Sequence, residues 1–240
     1  MSGEHVVSQS IFSDEVVTVE SGLSSIPAGK SVPLLSLKAN ILCVAHKGGL
    51  SDVDSEMGRL SGAIRGYLRS PSPRTGTIRV DGWRVERWCI KSTCNLLASR
   101  WMEPRPLILD PWIVKAAFGE VRFWDDAGLY LVKKPAKELN PSVDRVEWNL
   151  VETIDKRAVI GTYFNVNGLG LFITTVRGDP AAKLRAAVHT LGRAPNWSNA
   201  ELTHRPRQMH VSFQRKEWNR PTSVTIKFDW QMAPTKLRLY

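Results

Sequence analysis

The chain has 240 residues, 42% of them hydrophobic and 23% charged, and its formal net charge is +10. The composition is that of an ordinary folded domain and excludes a disordered or fibrous chain, while the length suits one domain with a substantial core. No stretch of about 18 residues is continuously apolar, so we expect no membrane-spanning helix.

The charge is unevenly distributed along the chain. Residues 1–30 hold four acidic residues against Lys30 alone, a balance of −3, so the remainder carries +13. From Arg177 to Tyr240 twelve Lys or Arg face four Asp or Glu. A basic body of this kind attracts nucleic acid, anionic lipid headgroups or an acidic protein surface, and charge alone does not choose among them.

The cysteines and the N-terminus indicate the compartment. Cys43, Cys89 and Cys94 form an odd set without a C-x-x-C pair, which argues against a disulfide framework and for a reducing environment. The first residues lack the cationic segment and apolar core of a secretory signal. We therefore expect the cytosol or nucleus, not secretion.

The chain begins with a segment of little regular pattern. Residues 1–30 are rich in Ser, Val and Glu and end in a linker-like stretch, so we expect a mobile N-terminal arm followed by one globular domain over residues 31–240. The AGKS tetrapeptide at 28–31 resembles the end of a phosphate-binding loop, but Pro33 forbids the helix that such a loop requires.

The next elements are a strand from Leu34 to Ala45 and an amphipathic helix over about 51–68. The helix is predicted because its apolar residues recur at spacings of three, four and seven. The loop 70–76 follows, where Ser70 and Ser72 each precede a proline, and their modification stays open. The apolar helical face comprises Val53, Met57, Leu60, Ile64, Tyr67 and Leu68.

Short runs between Thr77 and Val151 predict an antiparallel sheet, because each alternates or stays apolar for a strand's length between Gly, Pro and Asp. The TCNLLASRW segment is compatible with a short helix. The predicted strands are TIRV, WRVERWCIKS, EVRFW, LYLVKK and RVEWNLVET.

Asn167-Gly168 predicts a two-residue type I′ hairpin turn, with Val166 opposite Leu169. A second amphipathic helix is predicted over about 180–191, with Asp179 as its cap and Gly192 at its end. The glycines around residue 168 precede a strand instead of a helix, so they do not form a phosphate cradle. The predicted fold class is thus α+β, a single domain with a mainly antiparallel sheet and two helices.

The last predicted strands, between Thr203 and Trp230, have a basic outer face, which is the candidate site for an anionic surface, whether lipid or RNA. Six tryptophans between residues 83 and 148 could stack bases beside a basic groove, although core packing is favoured. The candidate binding residues are Arg205, Arg207, Arg215, Lys216, Arg220 and Lys227.

No motif of an enzyme is present. The five histidines are scattered, without H-E-x-x-H or G-x-S-x-G around them. Cys89 and Cys94 with His204 or His210 lack the spacing of a zinc finger, and buried thiols are favoured. We predict no catalytic residue, metal, cofactor or small-molecule substrate, with an enzyme of unrecognised fold as an alternative.

The order of elements resembles that of the matrix proteins of rhabdoviruses over most of residues 31–230. A strand and helix, LSLKANILCVAHKG and SDVDSEMGRLSGAIRGYL, are followed by a strand running into a helix, LGLFITTVRGD and PAAKLRAAVHTLG, and by VSFQRKEWNRPTSVTIKFDW. The chain differs from the family in having no PPxY or P-[TS]-A-P motif and in its slightly acidic arm.

This resemblance implies a non-enzymatic viral structural protein. Such a protein would self-associate, condense the viral nucleocapsid or its RNA, and link it to an anionic membrane. It would occupy the virion and the host cytoplasm or inner membrane face, and the host nucleus is an alternative location. The alternative is a viral movement or silencing-suppressor protein that binds single-stranded RNA.

Overall fold

The structure is a computed structural model that describes residues 2–5, 7–19, 30–42, 48–98, 111–123, 127–133, 145–152, 159–175, 201–213 and 219–231. These residues form one α+β domain with helices and mostly antiparallel sheets. The predicted fold class is therefore confirmed.

Three helices are described: α1 (Ser51–Leu68), α2 (Gly82–Ala98) and α3 (Pro111–Phe118). The strands are β1 (Ser2–His5), β2 (Val16–Val19), β3 (Lys30–Pro33), β4 (Lys38–Leu42), β5 (Thr75–Asp81), β6 (Gly128–Lys133), β7 (Arg145–Glu152), β8 (Val159–Val166), β9 (Leu169–Thr174), β10 (Glu201–His204), β11 (Gln208–Phe213) and β12 (Thr222–Asp229).

The strands form three sheets. The largest has seven strands in the order β10-β6-β9-β8-β7-β2-β3, a second has the order β11-β12-β5, and β1 pairs with β4. Most neighbours are antiparallel, but β2 runs parallel to β7 and β5 runs parallel to β12. The parallel pairs join parts of the chain that are distant in sequence.

Helix α2 lies at the centre of the domain. On one side Trp88 packs against Phe164 of the seven-stranded sheet, with ring centroids 5.4 Å apart. The inner face of the three-stranded sheet, including Ile78 and Ile226, joins the same apolar core. Helix α1 packs against both α2 and β5.

The predicted strand WRVERWCIKS is wrong, because these residues lie in α2. Apolar and charged residues alternate from Trp83 to Glu86, as they do in a half-buried strand, and the buried Glu86 and Lys91 interrupt the apolar stripe of the helix. The helical period is nevertheless present, since Val85, Trp88, Cys89, Ser92 and Leu96 recur at spacings of three and four and are all buried.

The predicted hairpin is confirmed in its register. Asn167 and Gly168 have φ angles of 50° and 88°, the left-handed values that a type I′ turn requires. Val166 pairs with Leu169. Further from the turn, side chains of the hairpin alternate between the main core and a second apolar cluster on the opposite sheet face, formed by Tyr130, Val132, Val151, Ile160, Tyr163 and Phe172.

The predicted mobile arm is wrong for residues 7–19. Val7, Ile11 and Val17 are fully buried, and β2 pairs with both β3 and β7. Ser61 of α1 also donates a hydrogen bond to the carbonyl of Ile11 at 2.7 Å. The segment folds because its few apolar residues cover the core. Each apolar run is too short to show the periodicity of a helix or a strand.

Other boundaries also differ from the prediction. Helix α1 has the predicted bounds, but the strand proposed from Leu34 begins as a 3₁₀ turn and continues as β4. Residues 120–123 of the predicted EVRFW strand are not in a strand, and α3 just before them was not predicted. The predicted helix over 180–191 lies outside the described residues.

Candidate anion-binding surface

The three-stranded sheet has one apolar and one polar face. Along β12 the buried Val224, Ile226 and Phe228 alternate with the exposed Ser223 and Lys227. Strands β5 and β11 follow the same alternation, because successive side chains of a strand point to opposite faces. The polar side is here called the outer face; it presents Thr75, Thr77, Arg79, Gln208, His210, Ser212, Ser223, Thr225, Lys227 and Asp229.

Two cations lie side by side on the outer face. Lys227 of β12 is the register partner of Arg79 of β5, and both are exposed. Directly opposite residues on paired strands lie about 5 Å apart, where like charges destabilise the sheet. Neither side chain has a carboxylate partner among the described residues. An external anion would relieve this repulsion.

Two carboxylates stand at one end of the same face. Asp81 and Asp229 are themselves register partners. Asp81 lies 3.4 Å from the Nε of Arg84, and Asp229 accepts a hydrogen bond from the backbone N–H of Gln231 at 2.8 Å. Asp81 is therefore paired with Arg84, and among the described residues neither carboxylate forms an ion pair with Arg79 or Lys227.

Further exposed cations flank the sheet. Arg74 precedes β5 and Arg220 precedes β12, and these strand ends lie together because the Arg74 carbonyl accepts a hydrogen bond from Ser223 N–H at 3.1 Å. Arg207 precedes β11, and its carbonyl accepts a hydrogen bond from Phe228 N–H at 2.9 Å. Cations thus surround the outer face at both ends.

Arg205 has a different environment from the other predicted site residues. Its guanidinium binds Glu86 of α2 through two hydrogen bonds of 2.8 and 2.9 Å, and the two side chains are 16% and 4% exposed. Glu86 also accepts a hydrogen bond from Leu129 N–H at 2.9 Å. The charge of Arg205 is thus compensated within the protein by that of Glu86.

The structure brings together three of the six predicted residues, namely Arg207, Arg220 and Lys227, around one sheet. Arg215 and Lys216 lie outside the described residues. Sequence reasoning missed Arg74 and Arg79, which join the surface through the parallel pairing of β5 with β12. No local signal predicts that pairing, since about 150 residues separate the strands.

The tryptophans that the structure describes do not provide a stacking platform on the outer face. Trp88 and Trp148 are fully buried, and Trp83 is half-buried against Trp230 at a centroid distance of 5.3 Å. Trp112 of α3 is 38% exposed, on another part of the surface. Trp101 and Trp124 lie outside the described residues.

The thiols and histidines do not form a metal-ligand cluster within the described part of the chain. Burial, together with the nearby Glu86, raises the pKa of Cys89 well above its ordinary value, and burial raises the pKa of Cys94 to about 12. His204 stacks on Tyr130, with centroids 4.6 Å apart. No three His, Cys, Asp or Glu residues cluster there as metal ligands.

Comparison of the chain with protein-family models, curated proteins and solved structures finds no match. Within the described residues, no helix has the length and apolar character needed to cross a membrane.

Proposed function

We propose that the chain is a non-enzymatic, matrix-type viral structural protein that self-associates and bridges a ribonucleoprotein to an anionic membrane during assembly. The observation that carries this proposal is the outer face of the three-stranded sheet, where Arg79 and Lys227 lie side by side and no described carboxylate pairs with either. A sheet face with two adjacent cations and further cations beside its strand ends suits an extended polyanion or a headgroup layer better than a small substrate.

The hydroxyl-rich composition of the outer face supports the same proposal. Thr225 lies 3.0 Å from the ring Nδ1 of His210, and Ser212 and Ser223 pair across the strands at 3.4 Å. Such neutral groups hydrogen-bond to phosphate oxygens without selecting a base sequence. The surface therefore suits the phosphates of RNA and of lipid headgroups alike.

One edge of this sheet is covered by side chains, and the other supports self-association. On the β5 edge, Glu56 of α1 accepts a hydrogen bond from Asp81 N–H and Arg59 donates one to the carbonyl of Arg79, so side chains take the place of a further strand. Strand β11 pairs with β12 alone among the described residues. Its other edge offers backbone groups to a second copy.

Co-sedimentation with liposomes tests the proposal. We expect the protein to pellet with phosphatidylserine vesicles but not with phosphatidylcholine vesicles, and to self-associate with rising concentration in analytical ultracentrifugation. Neutralising the central pair with Arg79→Gln and Lys227→Gln should weaken vesicle binding about 30-fold, since each cation near an anionic surface contributes about 1 kcal/mol.

The matched control neutralises two exposed cations elsewhere, with Lys30→Gln in β3 and Lys115→Gln in α3. Equal weakening by both double variants would show nonspecific attraction and contradict the assignment of the outer face. Binding of single-stranded RNA without vesicle binding would instead favour the movement or silencing-suppressor class. A monomer that binds neither would overturn both readings and return attention to an enzyme.

A further inference from the structure

A cavity next to the Asp81 end of the outer face lies between α2, the end of α3 and residues 119–123. Its volume is about 230 Å³. One wall is apolar, from Ile90, Val121 and Phe123, and the charged lining consists of three arginines and three carboxylates. The charged residues of the lining are Asp52, Asp81, Arg84, Glu86, Arg87 and Arg122.

The carboxylates of the cavity already have partners. Asp52 and Asp81 both lie 3.4 Å from the Nε of Arg84, and Asp81 also accepts the Arg84 N–H at the start of α2 at 3.1 Å. Glu86 is held by the two hydrogen bonds from Arg205. The acceptors in the lining are therefore occupied, and Arg84 is matched by two carboxylates.

Two arginines of the lining keep donors available. Arg87 uses Nε and Nη2 to bind the carbonyls of Ala117 and Phe118 at 3.0 and 3.1 Å, which leaves Nη1 without a hydrogen bond to any described residue. The guanidinium carbon of Arg122 lies 4.8 Å from the Trp83 ring centroid. Arg122 has neither a carboxylate partner nor a hydrogen bond within the described residues.

These donors define the chemistry of a ligand. Guanidinium groups bind carboxylate and phosphate oxygens in a planar fork, and two guanidinium groups match the double charge of a phosphomonoester better than a single carboxylate. The cavity is below the usual volume of drug-sized pockets, so the organic part must be no larger than about one ring. The apolar wall would contact that ring.

We propose that this cavity binds a small organic phosphomonoester, with the phosphate held by Arg87 and Arg122 and the organic group against Ile90, Val121 and Phe123. The site includes neither Arg79 nor Lys227 and does not depend on the function proposed for the outer face. Trp83 lies beside the phosphate position, so its fluorescence should respond to binding.

Titration calorimetry with phenyl phosphate tests this proposal on the full chain. We expect saturable binding at one site per chain, weaker binding of inorganic phosphate and of benzoate, and none of benzyl alcohol. Arg122→Gln should lower the affinity for phenyl phosphate by roughly ten- to a hundredfold, the range for one charge-assisted hydrogen bond. Its thermal unfolding without ligand should change little, since the interaction that Arg122 loses among the described residues is its contact with the Trp83 ring.

Two further variants test whether phenyl phosphate binds in this cavity or elsewhere on the protein. Trp83→Phe should remove the fluorescence response while calorimetry still detects binding, and the Arg79→Gln, Lys227→Gln double variant should bind phenyl phosphate like the unmodified chain. Absence of saturable binding, or unchanged affinity in Arg122→Gln, would overturn the proposal. Equal affinity for phenyl phosphate and inorganic phosphate would overturn the role of the apolar wall.

Discussion

At the scale of single residues, the pair formed by Glu86 and Arg205 has the clearest energetic consequence. Replacing Glu86 with Gln would leave the Arg205 guanidinium, only 16% exposed, without its carboxylate. Breaking such a buried pair from one side destabilises a protein by roughly 3–5 kcal/mol, because a desolvated charge loses its partner. Urea denaturation followed by circular dichroism should detect a loss of this size in Glu86→Gln.

The double variant Glu86→Gln, Arg205→Met is the control for this prediction. It removes both charges and keeps similar volumes, so most of the lost stability should return. If the losses in the two single variants simply add in the double variant, the two side chains are not energetically coupled and the ion pair does not have the assigned role.

Arg205 also illustrates why the candidate site was only partly predictable. Its place in a run of basic residues near the C-terminus gave the same local signal as Arg207, which is exposed. What separates them is a carboxylate 119 positions earlier, brought close by the fold. Composition predicted a basic surface, but it could not distinguish a cation that is paired internally from one that is available.

At the scale of elements, the Glu56 contact that covers the β5 edge should make stability depend on pH. Burial raises the pKa of Glu56, but hydrogen bonds from Arg59 and from Asp81 N–H outweigh it, so the folded pKa lies below the ordinary 4.5. The stabilisation is therefore complete above 4.5 and is lost as the pH falls through the lower folded value.

Urea denaturation of the unmodified chain and of Glu56→Gln, at several pH values, measures this contribution. The difference in unfolding free energy should be largest near neutral pH and should shrink below pH 4.5. Arg59→Gln removes the main cation beside Glu56, so it should reduce the pH-dependent part. A difference that grows as the pH falls would contradict the direction assigned to the pKa.

The hairpin between β8 and β9 gives a second prediction at this scale. Gly168 has a φ angle of 88°, which costs a residue with a β-carbon about 1–2 kcal/mol. Gly168→Ala should lower the free energy of unfolding by that amount in urea denaturation. Gly66, in α1 with open space around its β-carbon position, is the matched control, where substitution by Ala should be stabilising or neutral. Equal losses at both positions would argue against turn strain.

These elements also show which parts of the fold were predictable. The Asn-Gly turn and α1 were predicted correctly because their signals are local. The turn is marked by a dipeptide that favours positive φ angles, and the helix by an apolar stripe beside a polar one. Helix α2 was not, because buried polar residues such as Glu86, Lys91 and Asn95 interrupt its apolar stripe. The N-terminal strands were missed because their stability comes from β7 and the core, and not from their own sequence.

At the scale of the whole molecule, the parallel pairing of β5 and β12 places part of the excess positive charge on one face of the domain. That pairing joins Arg79 to Lys227 across a sheet whose opposite face belongs to the core, so the two cations can point only outward. Lys30 and Lys115 carry the same charges on separate elements, without an exposed cation as register partner. Removing the charges of Arg79 and Lys227 should therefore weaken the binding of a polyanion more than removing those of Lys30 and Lys115, although both changes lower the net charge equally.

The salt dependence of binding to single-stranded RNA measures this contribution. Each neutralised phosphate contributes about −0.7 to the slope of log K against log salt concentration. If Arg79 and Lys227 each contact a phosphate, the Arg79→Gln, Lys227→Gln variant should have a slope shallower by about 1.4, whereas the Lys30→Gln, Lys115→Gln variant should keep that of the unmodified chain. Fluorescence anisotropy of labelled RNA at a series of salt concentrations gives all three slopes. Equal slopes for the two double variants would mean that RNA responds to total charge, and that the outer face is not its binding surface.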